Sequence, residues 1–236
     1  MEPMALALIV FELVVMVLSI SLHDCAQAWM ANRLGDPTAR MLGRITMNPA
    51  KHFDTFGMAI APALALFIFH NNIPYGWGKP VPMTYRNFPR KNGEMLAVVA
   101  GPAAQFLSAI VALVLLVICK HTLAGAQASL HIVVVMAQTH VAPIDGLAGV
   151  PAVFPLLLLL YFCIVLNLFL CVFNLLPMPF LDGGKILVHF LPYNAAQAFE
   201  RYSFYFMIAF FLIGGVLISI VFSPLLALFT AALGSL

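Results

Sequence analysis

Apolar residues run through this chain in long stretches rather than in the short periodic patches of a soluble fold. Residues 4–31, 94–119, 152–174 and 203–222 are each long and apolar enough to predict a helix crossing a bilayer, which takes about 20 residues. Residues 56–70 form a fifth run that is shorter and contains Pro62, predicting a re-entrant or buried element rather than a span. Residues 128–138 are apolar but shorter still and predict an interfacial segment. Beyond Ser223 and Pro224 the chain stays apolar to Leu236, as a further short helix would. The fold class that follows is all-α, a polytopic integral membrane protein. No internal repeat or linker divides it, so residues 1–236 are read as one membrane-embedded domain.

The polar connections give this arrangement a direction. Residues 32–54 carry Arg33, Arg40, Arg44 and Lys51, and residues 71–93 carry Lys79, Arg86, Arg90 and Lys91. These are eight of the eleven basic residues, whereas residues 120–151 carry only Lys120. Basic residues concentrate in cytosolic loops, so both segments belong to the cytosolic side, and 56–70 must dip in and return. The 94–119 helix then runs outward, 152–174 runs back, and 175–203 faces the cytosol. Trp77 and Tyr75 beside Lys79 read as interface anchors.

Composition agrees. The chain is 63% hydrophobic and 8% charged, against about 25% charged in soluble domains, and its mean hydropathy is +1.03. A bilayer is therefore its first partner. The net charge of +2 comes with no basic patch interleaved with aromatics, which excludes a nucleic-acid reading. Glu2 and the lack of Lys or Arg before the first apolar run argue against a cleaved signal. Cys25, Cys119, Cys163 and Cys171 form no C-x-x-C pair and read as small buried hydrophobes.

Against this background His23-Asp24-Cys25-Ala26-Gln27 stands out, because ionisable groups in a span are costly and mark function by default. Positions i and i+4 of a helix share a face. In H-E-x-x-H, two histidines so placed bind zinc and the Glu acts as base on a metal-bound water. Here His23 keeps the first ligand position, Asp24 occupies the base position with an arm one methylene shorter, and Gln27 replaces the second histidine. A neutral amide is a poorer zinc ligand than imidazole, thiolate or carboxylate, so reduced affinity for Zn2+ is expected. A third candidate is Asp182, in a stretch running from Asn174 through Pro177 and Pro179 to Gly183 and Gly184. The prolines deny this stretch a regular helix, and broken backbone at membrane depth is tolerated where it lines a cavity. His23 lies about nine residues, or roughly 13 Å, before the cytosolic end of its helix, so both groups approach one leaflet.

Further motifs follow in order. They are Ala31-Asn32-Arg33-Leu34-Gly35-Asp36-Pro37-Thr38-Ala39-Arg40, then Gly43-Arg44-Ile45-Thr46-Met47-Asn48-Pro49, then His52 and Asp54. Gly76-Trp77-Gly78-Lys79-Pro80-Val81-Pro82, Ala100-Gly101-Pro102 and the Asn174–Gly183 stretch complete the series. Together they resemble the site-2 protease family of intramembrane zinc metalloproteases, in its compact bacterial form without a PDZ domain. The resemblance implies an endopeptidase that cuts transmembrane segments of membrane proteins, in a bacterial inner membrane, with its site near the cytosolic leaflet. It implies His23, Gln27 and Asp182 at the zinc-ligand positions and Asp24 at the catalytic position. Gln105 stands where the family has Asn.

Plainer readings stand beside these. Gln27 reads equally well as interhelical hydrogen-bonding glue, and Asp182 as a cap for a helix starting near Gly183. His52 and Asn174 are possible accessory site residues. His52 could fold toward His23, but pairing with Asp54 is the favoured reading. His70, His121, His131, His140 and His189 have no partner at ligand spacing. Three functions remain: a zinc protease with an altered site, a pseudoprotease that binds transmembrane segments without cutting, and a small transporter. The ionisable groups gather at one leaflet only, which disfavours the transporter.

Overall fold

The computed structural model describes residues 3–67, 74, 76–139 and 150–235, and every regular element among them is helical. Four helices are long and apolar enough to cross a membrane: Leu6–Arg33, Gly93–Thr122, Phe154–Leu175 and Ile213–Ser235. They lie within α1 (Pro3–Arg33), α4 (Gly93–Thr122), α6 (Phe154–Leu175) and α9 (Ser203–Ser235). Between them come α2 (Thr38–Met41), α3 (Ala61–Phe67), α5 (Ala126–Thr139), α7 (Asp182–Phe190) and α8 (Tyr193–Arg201). His70, His140 and Tyr75 lie outside the described residues.

α6 is the centre. It is apolar all round, and 78% of its spanning window is buried, against 44% for α1 and 28% for α4. A helix of that kind belongs inside a bundle, with its neighbours facing lipid. α4 packs against both α6 and α1. Its buried positions Ala97, Gly101, Gln105, Ala109, Ala112 and Leu116 recur every three or four residues and form one stripe, in which Ala97, Gly101, Ala109 and Ala112 are small. In lipid, helices associate through close packing, and such a stripe permits it. Its other face exposes Leu107, Val111, Val114 and Ile118.

One expectation needs correction. α9 continues through Pro224 as one helix; a helix at membrane depth tolerates proline when neighbours satisfy the freed backbone groups. Segment 128–138 forms α5, which buries Leu130, Val133 and Met136 and packs on α6. Trp77 is half-buried and packs on Phe56, with ring centroids 5.9 Å apart.

The segments that flank α3 meet at their ends. Trp77 N–H donates to Gly57 O (3.3 Å) and Lys79 N–H to His52 O (2.8 Å). Residues 76–79 therefore lie beside residues 52–57. Their neighbour loop is fastened by Asp36, which is buried and accepts from Thr84 N–H (2.7 Å), Thr38 N–H (3.1 Å) and Asn87 Nδ2 (2.8 Å). At the far side of the site, Gly183 and Gly184 press against the carbonyls of Leu175, Leu176 and Met178. A Cβ at either position would collide with backbone, so glycine alone lets α7 fold back under the Pro-rich stretch.

Two outcomes are expected. Burial pushes the Asp36 carboxyl up, but its hydrogen bonds from Asn87, Thr38 and Thr84 outweigh this and hold it below the ordinary value. That stabilisation is present above the unfolded value of about 3.9 and is lost as pH falls through the lower folded value. Asp36→Ala should cost about 1–3 kcal/mol and flatten this acid limb in thermal unfolding of the detergent-solubilised protein. Gly184→Ala should lower the midpoint more than Gly215→Ala on α9, where a Cβ meets nothing.

A candidate metal centre closed by an amide

α1, α4, the Pro-rich stretch and α7 converge on a cavity of about 350 Å³ lined by His23, Gln27, Gln105, Asn174 and Asp182 among others. The chain contacts Asp182 from α1 although 155 residues separate it from Gln27. His23 Nε2 lies 2.8 Å from Asp182 Oδ2. Gln27 Nε2 donates to the same oxygen at 2.7 Å and to Val98 O on α4 at 3.0 Å. Lys185, one turn along α7, donates to Asp182 Oδ1 at 2.9 Å. Burial pushes the Asp182 carboxyl up, but the hydrogen bond and charge of His23, with those of Lys185, outweigh it and leave the group below the ordinary carboxylate value.

α1 and α4 can approach this closely because of Gly101. A Cβ there would run into the His23 imidazole. Behind His23, Asp24 Oδ1 lies 3.2 Å from His23 Nδ1. Asp24 Oδ2 is engaged by His52 Nδ1 at 3.2 Å and Arg44 Nη2 at 3.3 Å.

The zinc implied by the resemblance can be tested against these donors. Gln27 faces two acceptors, a carboxylate and a backbone carbonyl. Its NH2 must point at both, since the opposite amide orientation would set oxygen against oxygen. The amide therefore turns its NH2, not its oxygen, toward Asp182. His23 and Asp182 remain, two protein ligands where catalytic zinc takes three. Their facing atoms are 2.8 Å apart, closer than the roughly 3.3 Å set by two bonds of about 2.0–2.1 Å at a tetrahedral angle. Among the described residues, no three His, Cys, Asp or Glu side chains form a metal cage. The residues present do not fit a catalytic zinc. Asp24 is equally removed from a base role, because both its oxygens are engaged by His23, His52 and Arg44.

Other candidates fall into place around this. Asn174 Nδ2 donates to Gln105 Oε1 at 3.3 Å, which joins α6 to α4 in the cavity wall. His52 does not reach His23 and does not pair with Asp54. It contacts Asp24 and, through Nε2, Thr46 O at 2.8 Å. Asp54 instead receives Gly57 N–H at 2.6 Å. Asp182 is not the cap of α7 but its first residue, with Leu181 at the cap position. His189 Nε2 lies 3.1 Å from Asn92 Oδ1, outside the site. Arg44 is the residue that reading the sequence missed.

The model of Peptidase family M50 matches residues 11–214. A protein of Bacillus subtilis (strain 168) named "Putative zinc metalloprotease YwhC" is 30% identical over 189 residues, covering 79% of this chain and 72% of that protein. No solved structure matches. A family match that starts in the first spanning helix and ends in the last, with helices of this length and apolarity, makes the chain an integral membrane protein belonging to peptidase family M50, the site-2 protease family.

Proposed function

We propose that this chain keeps the family's intramembrane groove and uses it to bind transmembrane segments of other membrane proteins without zinc-dependent cleavage. The observation that carries this is the Gln27 amide, which fills the second-ligand position with donors and fastens Asp182 to α4. The cavity beside it has apolar walls from Ile20, Trp77 and Phe180, suited to an apolar segment. Its polar groups Gln105 and Asn174 can meet a segment's backbone. A bacterial cell membrane is the setting, with the cavity toward the cytosolic leaflet. In support, Arg33, Arg40, Lys51, Lys79, Arg86, Arg90 and Lys91 are all exposed at the end of the bundle where the cavity lies.

The second reading, a protease with an altered zinc site, has one observation in its favour. Asp24 beside His23 Nδ1 has the geometry of the carboxylate that orients a zinc-bound histidine. In that role Asp24 is not the base, and the reaction would lack one.

Metal content and capture separate the readings. The purified protein should carry well under one zinc equivalent after dialysis, and a photo-crosslinkable single-span peptide in vesicles should be captured intact. The double variant Gln27→His, Asp24→Glu should gain about one equivalent. Zinc at one equivalent in the unaltered protein, lost in His23→Ala and Asp182→Ala, with cleavage of the peptide, would establish the protease instead.

A further inference from the structure

Asp24 lies against the non-helical segment that contains Gly78. Residues 76–82 have no helical structure and cross the cavity, with Gly76, Trp77, Gly78, Pro80 and Val81 in its wall. What holds them there is Arg44. This side chain is 5% exposed and comes from the loop after α2. Its Nη2 donates to Lys79 O and its Nη1 to Pro80 O at 3.2 Å, while Nη2 also reaches Asp24 Oδ2 at 3.3 Å. His52, fully buried, braces the same carboxylate oxygen with Nδ1, and its backbone carbonyl receives Lys79 N–H. Gly78 completes the closure, since a Cβ there would strike the Asp24 carboxylate and Ile20.

A planar guanidinium can serve a carboxylate and two carbonyls at once, which a lysine ammonium on a flexible stem does poorly. A charge buried this far from water persists only when paired and hydrogen-bonded. The carboxylate in the family's base position has here become the counter-charge for that cation. We propose that Arg44, anchored on Asp24, is the positioning residue that holds residues 76–81 as a strap across the transmembrane-segment groove and thereby sets the width of its mouth. The inference concerns the cavity of the proposed function but rests on these contacts alone, and it holds whether or not a metal binds.

Hydrogen–deuterium exchange on the full-length protein in detergent, read peptide by peptide, tests it. In Arg44→Gln the amides of Trp77 and Lys79, which donate to Gly57 O and His52 O, should exchange at least tenfold faster, while those of α4 and α6 stay within twofold of the unaltered protein. Arg44→Lys should fall between. Asp24→Asn keeps the shape of the anchor and removes its charge, and should loosen the same residues if Arg44→Gln does not fold. Capture of a single-span peptide through a photo-reactive residue at position 81 should fall at least fivefold in the same variants. Metal content should not move, which separates failure here from failure of the proposed function. Unchanged exchange at Trp77 and Lys79 in these variants, or an equal rise throughout α4 and α6, would overturn the proposal.

Discussion

Inside an apolar bundle a polar side chain must find its partners among the few others present, because water and lipid offer none. Gln27 is where that demand is met. Its amide nitrogen serves a carbonyl of α4 and the carboxylate at the start of α7 in the same stroke, so three elements far apart in sequence are fixed to one another. Asp182 gathers His23, Gln27 and Lys185 around itself. Behind it, Asp24 is committed to Arg44 and His52. The constellation is a chain of hydrogen bonds and ion pairs in which His23 Nε2 and Arg44 Nε lack a hydrogen-bond partner among the described residues.

The two substitutions in the helix motif are coupled through this chain. A neutral histidine at position 27 would bring one donor and one acceptor on separate ring nitrogens, whereas the amide brings two donors at one atom. With Gln27 in place, the carboxylate at 182 is satisfied and the imidazole of His23 is held between two acids. Asp24 lines the cavity beside His23 with its carboxylate against Gly78, where a Cβ would strike it. Each change by itself would weaken a metal site.

Much of the fold was legible because the bilayer imposes a length rule on sequence. The four long runs became α1, α4, α6 and α9, with ends shifted by a few residues at most positions, and the helical class followed. The misreadings have physical causes. Pro224 looks like a stop, but at membrane depth neighbouring helices can carry the groups it frees. Segment 128–138 is too short to span, and one of its faces is apolar enough to pack on α6. At the site, His23, Gln27 and Asp182 could be singled out from motif order, and the structure brings them within contact. Which end of the Gln27 amide faces Asp182 could not be read, because that depends on a backbone carbonyl at Val98. Arg44 was overlooked for a similar reason. Its partners, Asp24 and the carbonyls of Lys79 and Pro80, lie 20, 35 and 36 residues away, and no spacing rule joins them.

The central claim is that an amide donor occupies the place of a metal ligand. Titration of the purified, unaltered protein with Co2+, followed by its visible ligand-field absorption, addresses it most directly, because cobalt reports tetrahedral nitrogen and oxygen ligation by colour whether or not any peptide is cut. The account requires no saturable band up to several equivalents. An intense tetrahedral band saturating at one equivalent, abolished in His23→Ala, would contradict it.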